Sequence, residues 1–221
     1  MQKFAIIVAG GTGSRMQSEL PKQFIELAGK PILMHTIEAY YFDDIEIILV
    51  LPVNELIQWK NLCIQHNFKI PHTISEGGAT RFNSVKNGLS EINSSTGIVA
   101  IHDGVRPLIK RSIIKQSFLI AEEKGNAIAA VASKDSLREI TSTGNKSVDR
   151  STFQLIQTPQ TFRTELITKA FETEELSTFT DDASVLEHFG ETINLIEGDY
   201  RNIKITTPED LLIAESLFSH N

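Results

Sequence analysis

A glycine-rich run follows the first apolar segment of the chain: Ala9-Gly10-Gly11-Thr12-Gly13-Ser14-Arg15-Met16. Glycines at the end of a strand let backbone N–H groups close around a phosphate. Arg15 and Lys22 flank this turn with positive charge, which suits a site where negative charge develops during phosphoryl or nucleotidyl transfer. The run is neither a Walker A loop nor a dinucleotide fingerprint. It predicts an anion-binding loop, with a tight structural turn as the alternative.

A second candidate site ends another apolar segment, in His102-Asp103-Gly104-Val105-Arg106-Pro107. A carboxylate at the C-terminal end of a parallel strand lies where ligands of α/β folds bind. Asp103 suits Mg²⁺, which takes one or two carboxylates together with substrate phosphates; the alternative is a carboxylate that caps the next turn. Arg106 is placed to contact a second anion. His102 fits a packed histidine better than a metal ligand, because the histidines show no ligand spacing.

A third candidate joins a strand end to a helix, in Glu76-Gly77-Gly78-Ala79-Thr80-Arg81-Phe82-Asn83-Ser84-Val85. Paired glycines allow a flat ring to approach the backbone, and Ser84 offers a hydrogen bond. The same composition also fits a plain turn followed by a helix cap.

The elements that must position these residues alternate along the chain. Continuous apolar runs predict strands at residues 4–8, 45–51, 98–102 and 127–131, with a weaker strand near 70–75. Helical periodicity predicts helices at 33–41, 54–65, 80–92 and 111–124. This pattern predicts an α/β fold, a Rossmann-like and mainly parallel sheet flanked by helices, in a single domain over residues 1–221.

Residues 133–158 break the alternation, because they are polar and contain turn residues around Gly144. They hold too little apolar surface for the core, so we expect a projecting β-hairpin arm; a surface loop is the alternative. After the arm we expect helices near 164–172 and 182–189 and strands near 192–197 and 203–205. A closing helix is expected to begin at Thr207-Pro208.

Composition excludes several classes of protein. The 221 residues are 41% hydrophobic and 22% charged, as in a folded chain with a sizeable core. Twenty-one basic against 28 acidic residues give a formal net charge of −7, which argues against a nucleic-acid binder or a membrane-surface helix. No apolar stretch approaches the roughly 18 residues of a membrane span. The single cysteine, Cys63, predicts a reducing, cytoplasmic location.

Seven sequence blocks occur in one order over nearly the whole chain: G-G-T-G-S-R-M…P-K-Q, G-G-A-T-R-F-N-S-V, H-D-G-V-R-P, V-D-R, Q-T-P-Q-T-F, T-D-D-A-S and N-I-K-I-T-T-P-E-D-L. In these blocks the chain resembles the 2-C-methyl-D-erythritol 4-phosphate cytidylyltransferases of non-mevalonate isoprenoid biosynthesis. The resemblance implies a nucleotidyltransferase that uses Mg²⁺ to join CTP and methylerythritol phosphate. The products are 4-diphosphocytidyl-2-C-methyl-D-erythritol and pyrophosphate. It also implies a homodimer whose arms reach into the neighbour's site.

The resemblance assigns roles to individual residues. Arg15 and Lys22 would stabilise the transition state at the α-phosphate of CTP, and Arg150 and Lys204 would position the acceptor. The other nucleotide-binding residues it implies are Ala9, Gly10, Gly11, Thr12, Gly13, Gly77, Gly78 and Ser84. The other acceptor-binding residues are Asp103, Arg106, Ser136 and Thr158, and Asp103 would also bind the metal. The sequence departs from the family at Gly104, where Ala is usual, and at Ser136, where Thr is common.

The implied chemistry needs no general base, because the attacking phosphate, with a second pKa of about 6, is already mostly ionised at neutral pH. The difficulty is the meeting of two anions, so an acidic chain must gather its cations in one cleft. The main alternative is ribitol-5-phosphate cytidylyltransferase, which shares the glycine loop and the N-I-K block. V-D-R and T-D-D-A-S favour the isoprenoid enzyme. A non-catalytic nucleotide-binding regulator is a further alternative, although it should lack one of the charged positions.

Overall fold

The fold is built on a seven-stranded sheet. A computed structural model describes residues 1–10, 16, 20–94 and 96–219. The strands of these residues are β1 (Gln2–Val8), β2 (Glu26–Leu27), β3 (Lys30–Pro31), β4 (Glu46–Leu51), β5 (Thr73–Glu76), β6 (Gly97–Asp103), β7 (Asn126–Ala132), β8 (Arg138–Thr141), β9 (Gly144–Ser147), β10 (Gln154–Arg163) and β11 (Leu195–Glu197). The helices are α1 (Ile32–Tyr40), α2 (Leu56–Gln65), α3 (Arg81–Ser90), α4 (Arg111–Lys124), α5 (Thr164–Ala170), α6 (Asp182–His188) and α7 (Pro208–Phe218).

The strand order of the main sheet is β11-β7-β10-β6-β1-β4-β5. β10 runs antiparallel to both of its neighbours, and the other pairs are parallel. The predicted α/β class with a mainly parallel sheet is therefore confirmed. The first four long strands and helices lie within a few residues of their predicted positions, because continuous apolar runs are typical of strands covered on both faces.

Helices cover both faces of this sheet. Successive side chains of a strand point to opposite faces, and in β1 Ile7 packs into a cluster that contains residues of α1 and α4. Its neighbour Ile6 packs into a second cluster, with residues of α3, α5 and α6. A smaller cluster holds Ile205 and the closing helix α7. In the described part of the chain, no helix has both the length and the apolar character needed to cross a membrane.

The parallel register brings the C-terminal ends of four strands to one edge of the sheet. Val8 at the end of β1 pairs with Asp103 at the end of β6 and with Val50 near the end of β4. β5 adds its own end beyond β4, where Leu51 pairs with Glu76. The loops that carry the predicted chemistry therefore open side by side.

The arm is shorter than predicted. β8 and β9 form the expected hairpin, and all their residues are exposed. Residues 154–158, which we counted in the arm, instead begin β10, and Gln154 pairs with Ala132 of β7. β10 could not be recognised from the apolar pattern, because this strand is rich in glutamine and threonine. It also contains Pro159, where the register with β7 shifts.

The strand predicted at residues 203–205 is wrong. Ile205 is fully buried, but the segment joins no sheet, and the Ile205 N–H donates to the Val105 carbonyl at 3.0 Å. The other late elements are present as α5, α6 and β11. The predicted start of the last helix is confirmed, since the Thr207 side chain accepts from the Asp210 N–H and Pro208 occupies the first turn.

Candidate active site

A cleft of about 440 Å³ opens at the edge where the parallel strands end. Its walls come from the loops that follow β1, β4, β5 and β6, with Lys22 and Lys204 at its border. The predicted residues that line it are Ala9, Gly10, Lys22, Gly77, Gly78, Ser84, Asp103 and Lys204. The structure therefore brings together eight predicted site residues from five separate stretches of chain.

A second compartment, of about 270 Å³, adjoins the first. It is lined by residues of β10 and of the loop before α6, including Gln157, Thr158, Gln160, Thr180 and Asp181, together with Arg106. Of the residues that the structure describes, Arg81, Asp103 and Lys204 line both compartments. Two ligands bound side by side would therefore meet at these three side chains.

Asp103 is the charged centre of the shared wall. Its Oδ2 atom lies 3.0 Å from Arg106 Nε and 3.2 Å from Lys204 Nζ. Burial favours a higher pKa for this carboxyl, but the positive charges of Lys204 and Arg106 outweigh burial and hold the pKa well below its usual range. Asp103 is therefore an ionised carboxylate although only 7% of the residue is exposed.

A hydrogen-bond network fixes this centre to β10. The Asp103 N–H donates to Thr158 Oγ1 at 3.1 Å, and Arg106 Nη1 donates to the Asn202 carbonyl at 2.8 Å. Asn202 Nδ2 in turn donates to the Thr158 carbonyl at 2.8 Å. Asp103 and the segment that carries Lys204 are thus both hydrogen-bonded to Thr158 of β10. This shared anchor limits the movement of the two charges relative to one another.

The glycine turn after β5 is held by Ser84. The Gly78 N–H donates to Ser84 Oγ at 3.0 Å, and Ser84 Oγ donates to the Thr80 carbonyl at 2.8 Å. A side chain at Gly78 would place its Cβ in a steric clash with Asn83 Cβ, so the turn requires glycine. Thr80 caps α3 by accepting from the Asn83 N–H. The predicted turn and helix cap are therefore confirmed, and Gly77, Gly78 and Ser84 also line the cleft; the approach of a flat ring to this turn stays a prediction.

Gln23 and Glu55 support the start of the glycine-rich loop, and neither was predicted as a site residue from the sequence. Gln23 Nε2 donates to the Ala9 carbonyl at 2.9 Å and to the Glu55 carboxylate. Burial raises the pKa of Glu55, although the bond from Gln23 opposes that shift. Gln23 follows Lys22 directly and is buried, whereas Lys22 borders the cleft. The signal that the sequence offered was a polar residue directly after a predicted site cation.

Several predicted site residues are not placed in the cleft. Gly11, Thr12, Gly13 and Arg15 lie outside the described residues. Ser136 and Arg150 are exposed residues of the arm that line neither compartment. Arg150 Nη1 donates to the Lys134 carbonyl at the base of the arm.

His102 is the packed histidine that its sequence context favours. It is fully buried, its ring centroid lies 5.1 Å from that of Tyr40, and Nε2 lies 3.3 Å from the Arg106 carbonyl oxygen. Burial lowers its pKa to about 3, so the imidazole is neutral at physiological pH.

The chain matches the family model for 2-C-methyl-D-erythritol 4-phosphate cytidylyltransferase over residues 3–220. It is 52% identical over 220 residues to the protein of that name from Azobacteroides pseudotrichonymphae, with 98% of each chain covered. It is 48% identical over 219 residues to that of Bacteroides fragilis, covering 98% of this chain and 100% of the relative. Among solved structures, it is similar to the 4-diphosphocytidyl-2C-methyl-D-erythritol synthase of Anaerococcus prevotii, with a TM-score of 0.85 at 30% identity and coverage of 99% and 96%. On these matches, the chain belongs to the 2-C-methyl-D-erythritol 4-phosphate cytidylyltransferase family.

Proposed function

We propose that the protein transfers the cytidylyl group of CTP to the phosphate of 2-C-methyl-D-erythritol 4-phosphate, in non-mevalonate isoprenoid biosynthesis. The observation that carries this proposal is the pair of adjoining compartments that share Arg81, Asp103 and Lys204. Such an arrangement holds two substrates with their reacting ends together. An acceptor phosphate oxygen forms a bond to the α-phosphorus of CTP. The bond from that phosphorus to the bridging oxygen breaks, and pyrophosphate leaves with the electron pair.

CTP occupies the larger compartment in this proposal. Ala9 and Gly10, together with Gly11, Thr12 and Gly13, hold the triphosphate, with Arg15 and Lys22 stabilising charge at the α-phosphate. The Gly77-Gly78 turn and Ser84 recognise cytosine. Ser84 Oγ uses its proton on the Thr80 carbonyl and accepts from the Gly78 N–H. A hydroxyl oxygen has a second lone pair, which suits the exocyclic amine of the base.

The acceptor occupies the smaller compartment. Lys204 and Arg106, which both contact Oδ2 of Asp103, balance the charge of its phosphate, and Thr158 supports that carboxylate through the Asp103 N–H. The amide and hydroxyl groups of β10 and of the loop before α6 suit a polyol. Because the nucleophile is already ionised, the side chains supply position and charge and no general base.

Asp103 also fits Mg²⁺. The described residues contain no cluster of three or more His, Cys, Asp or Glu side chains able to hold a metal ion. A single ionised carboxylate beside substrate phosphates is nevertheless a frequent magnesium site, and both ion pairs of Asp103 end on Oδ2, which leaves Oδ1 for a metal. Bound there, Mg²⁺ would neutralise phosphate charge.

The proposal includes a homodimer in the cytoplasm, with residues 1–221 as one nucleotidyltransferase domain. The homodimer is supported by the position of Ser136 and Arg150. Both lie on the exposed arm, away from the two compartments of their own chain. They would complete the acceptor compartment of a second copy.

Pyrophosphate release from CTP and Mg²⁺ tests the function, with methylerythritol phosphate and ribitol 5-phosphate offered in parallel. We expect turnover with methylerythritol phosphate, loss of activity with a chelator and recovery with Mg²⁺. Preferential use of ribitol phosphate would support that alternative, which the names of the relatives do not favour. Binding of CTP without any turnover would indicate a regulator.

A further inference from the structure

Arg81 and Asp182 form a two-bond ion pair between helices that are distant in sequence. Arg81 begins α3 and Asp182 begins α6. Arg81 Nη1 donates to Asp182 Oδ1 at 2.7 Å, and Nη2 donates to Oδ2 at 2.6 Å. This planar pairing fixes the orientation of the guanidinium as well as its position.

The two partners differ in exposure. The Asp182 side chain is 1% exposed, whereas the Arg81 side chain is 33% exposed and lines both compartments of the site. A guanidinium has five N–H donors, and this pairing occupies two of them. Arg81 therefore presents a fixed positive charge with spare donors at the junction of the compartments.

Both helix starts are themselves held in place. Asp181 caps α6, Gln160 Nε2 donates to Asp181 Oδ2 at 2.8 Å, and the Ala183 N–H donates to Gln160 Oε1 at 2.8 Å. Asp182 is thereby anchored to β10. On the other side, Thr80 Oγ1 donates to Glu175 Oε2 at 2.8 Å at the start of α3. The guanidinium is preorganised, as catalytic charge stabilisation requires.

We infer that Arg81 is a further phosphate-binding residue of the reaction, and that Asp182 is the positioning residue that orients it. This inference rests on the proposed function. Arg81 contacts phosphate oxygens where the donor and acceptor meet, and so offsets the repulsion between the two anions. Its field already reaches this region, because the Arg81 charge contributes to holding down the pKa of Asp103.

The competing interpretation is a purely structural ion pair. Replacing a buried pair by uncharged groups is often neutral for stability, whereas removing one partner leaves a costly buried charge. Replacing a purely structural pair would change at most the melting temperature and would leave the kinetics of the folded enzyme unchanged. The two interpretations therefore predict different measurements.

The main test uses the double variant Arg81→Gln/Asp182→Asn, which leaves no unpaired buried carboxylate. We expect a folded protein by circular dichroism, with kcat/KM for pyrophosphate release lowered by at least about 100-fold, the scale of losing one transition-state donor. Calorimetry should show weaker binding of CTP and unchanged binding of cytidine, which has no phosphate. The matched control is Arg163→Gln, because Arg163 Nη2 bonds to the Glu122 carbonyl and lines neither compartment.

Kinetics within twofold of the wild type would overturn the inference, and so would an equal loss of cytidine and CTP binding, which would point to a distorted base pocket. If the double variant does not fold, Arg81→Lys decides, because it keeps the counter-charge of Asp182 and loses the planar pairing. We expect at least a tenfold lower kcat/KM with unchanged cytidine affinity, and unchanged kinetics overturn the inference. Asp182→Asn should lower kcat by less than the variants that replace Arg81, again with cytidine affinity unchanged. Failure of the proposed function is distinct, since the wild type would then release no pyrophosphate.

Discussion

The cleft and the arm hold the two groups of charged residues that the proposed reaction uses, and they hold them differently. In the cleft, Asp103 is buried, ion-paired with two cations and bonded through its N–H to Thr158. On the arm, Arg150 is exposed and bonds to the backbone carbonyl of Lys134. The cleft is therefore organised by its own chain. Arg150 lines neither compartment of its own chain, and in the proposed dimer it would reach the site of the second copy.

Lys22→Ala tests the cleft half of this comparison and should have the largest effect. Lys22 borders the larger compartment, so we expect kcat to fall by at least ~100-fold, as for other lost transition-state donors. Steady-state pyrophosphate release gives kcat, and circular dichroism checks the fold. Lys60→Ala, at an exposed position of α2, is the control. Near-normal turnover would remove Lys22 from the chemistry.

Arg150→Ala tests the arm half. Loss of a charge-assisted hydrogen bond costs about 1.5–3 kcal/mol, so the KM for methylerythritol phosphate should rise about tenfold or more. The KM for CTP should stay unchanged, and Arg138→Ala on the same arm is the control. A change confined to the CTP KM would contradict the role assigned to Arg150.

Mixed dimers sharpen the comparison further. When Lys22→Ala and Arg150→Ala chains are combined at random, half of the dimers carry one chain of each kind. If the arm acts across the dimer, one site of each mixed dimer is intact, so about a quarter of the wild-type activity should return. No recovery above the separate variants would place the role of Arg150 in its own chain.

A pH effect is expected from the buried interior beside the cleft. Burial lowers the pKa of His102 to about 3 from an ordinary value of 6.5. At a pH between these two values, His102 is therefore protonated in the unfolded chain and neutral in the folded chain. The free energy of unfolding should therefore fall as pH falls below 6.5, and His102 should contribute up to about 1.4 kcal/mol per pH unit. Urea unfolding should show that the free energy of unfolding of His102→Phe depends less steeply on pH than that of the wild type. Equal slopes in the wild type and in His102→Phe would refute the assignment.

The smallest effect is expected at the tip of the arm. Ile140 is 79% exposed, so Ile140→Thr should change the stability of the isolated chain by less than about 0.5 kcal/mol. Sedimentation should nevertheless show weaker dimerisation, because a second copy would bury this side chain. Ile57→Thr on α2, a similarly exposed isoleucine, is the control. Unchanged dimerisation would separate the arm tip from the interface.

The sequence predicted those parts of the site that depend on local patterns. Val8 and Asp103 end apolar runs, and parallel pairing then places them side by side. The turn at Gly77-Gly78 and the caps of α3 and α7 are local as well. These features follow from the periodicity and chemistry of neighbouring residues, which a single sequence contains.

The parts that were missed depend on contacts between distant residues. Arg81 and Asp182 are 101 positions apart, and Gln23 and Glu55 are 32 apart. β10 has a polar sequence because its side chains are satisfied by partners such as Ser117, whose Oγ accepts from Thr161 at 2.8 Å. Residues 203–205 have the apolar pattern of a strand but are not paired with any strand of the described residues. No periodicity encodes such partners.

The two compartments are lined largely by residues from different halves of the polypeptide. Apart from Lys204, the larger one is lined by residues numbered 105 or lower, whereas much of the smaller one comes from residues 156–181. If the acceptor occupies the smaller compartment, as proposed, substitutions in the later stretch would change which sugar alcohol is accepted while nucleotide recognition is retained. Divergence within such enzymes would then concentrate on one half of the chain.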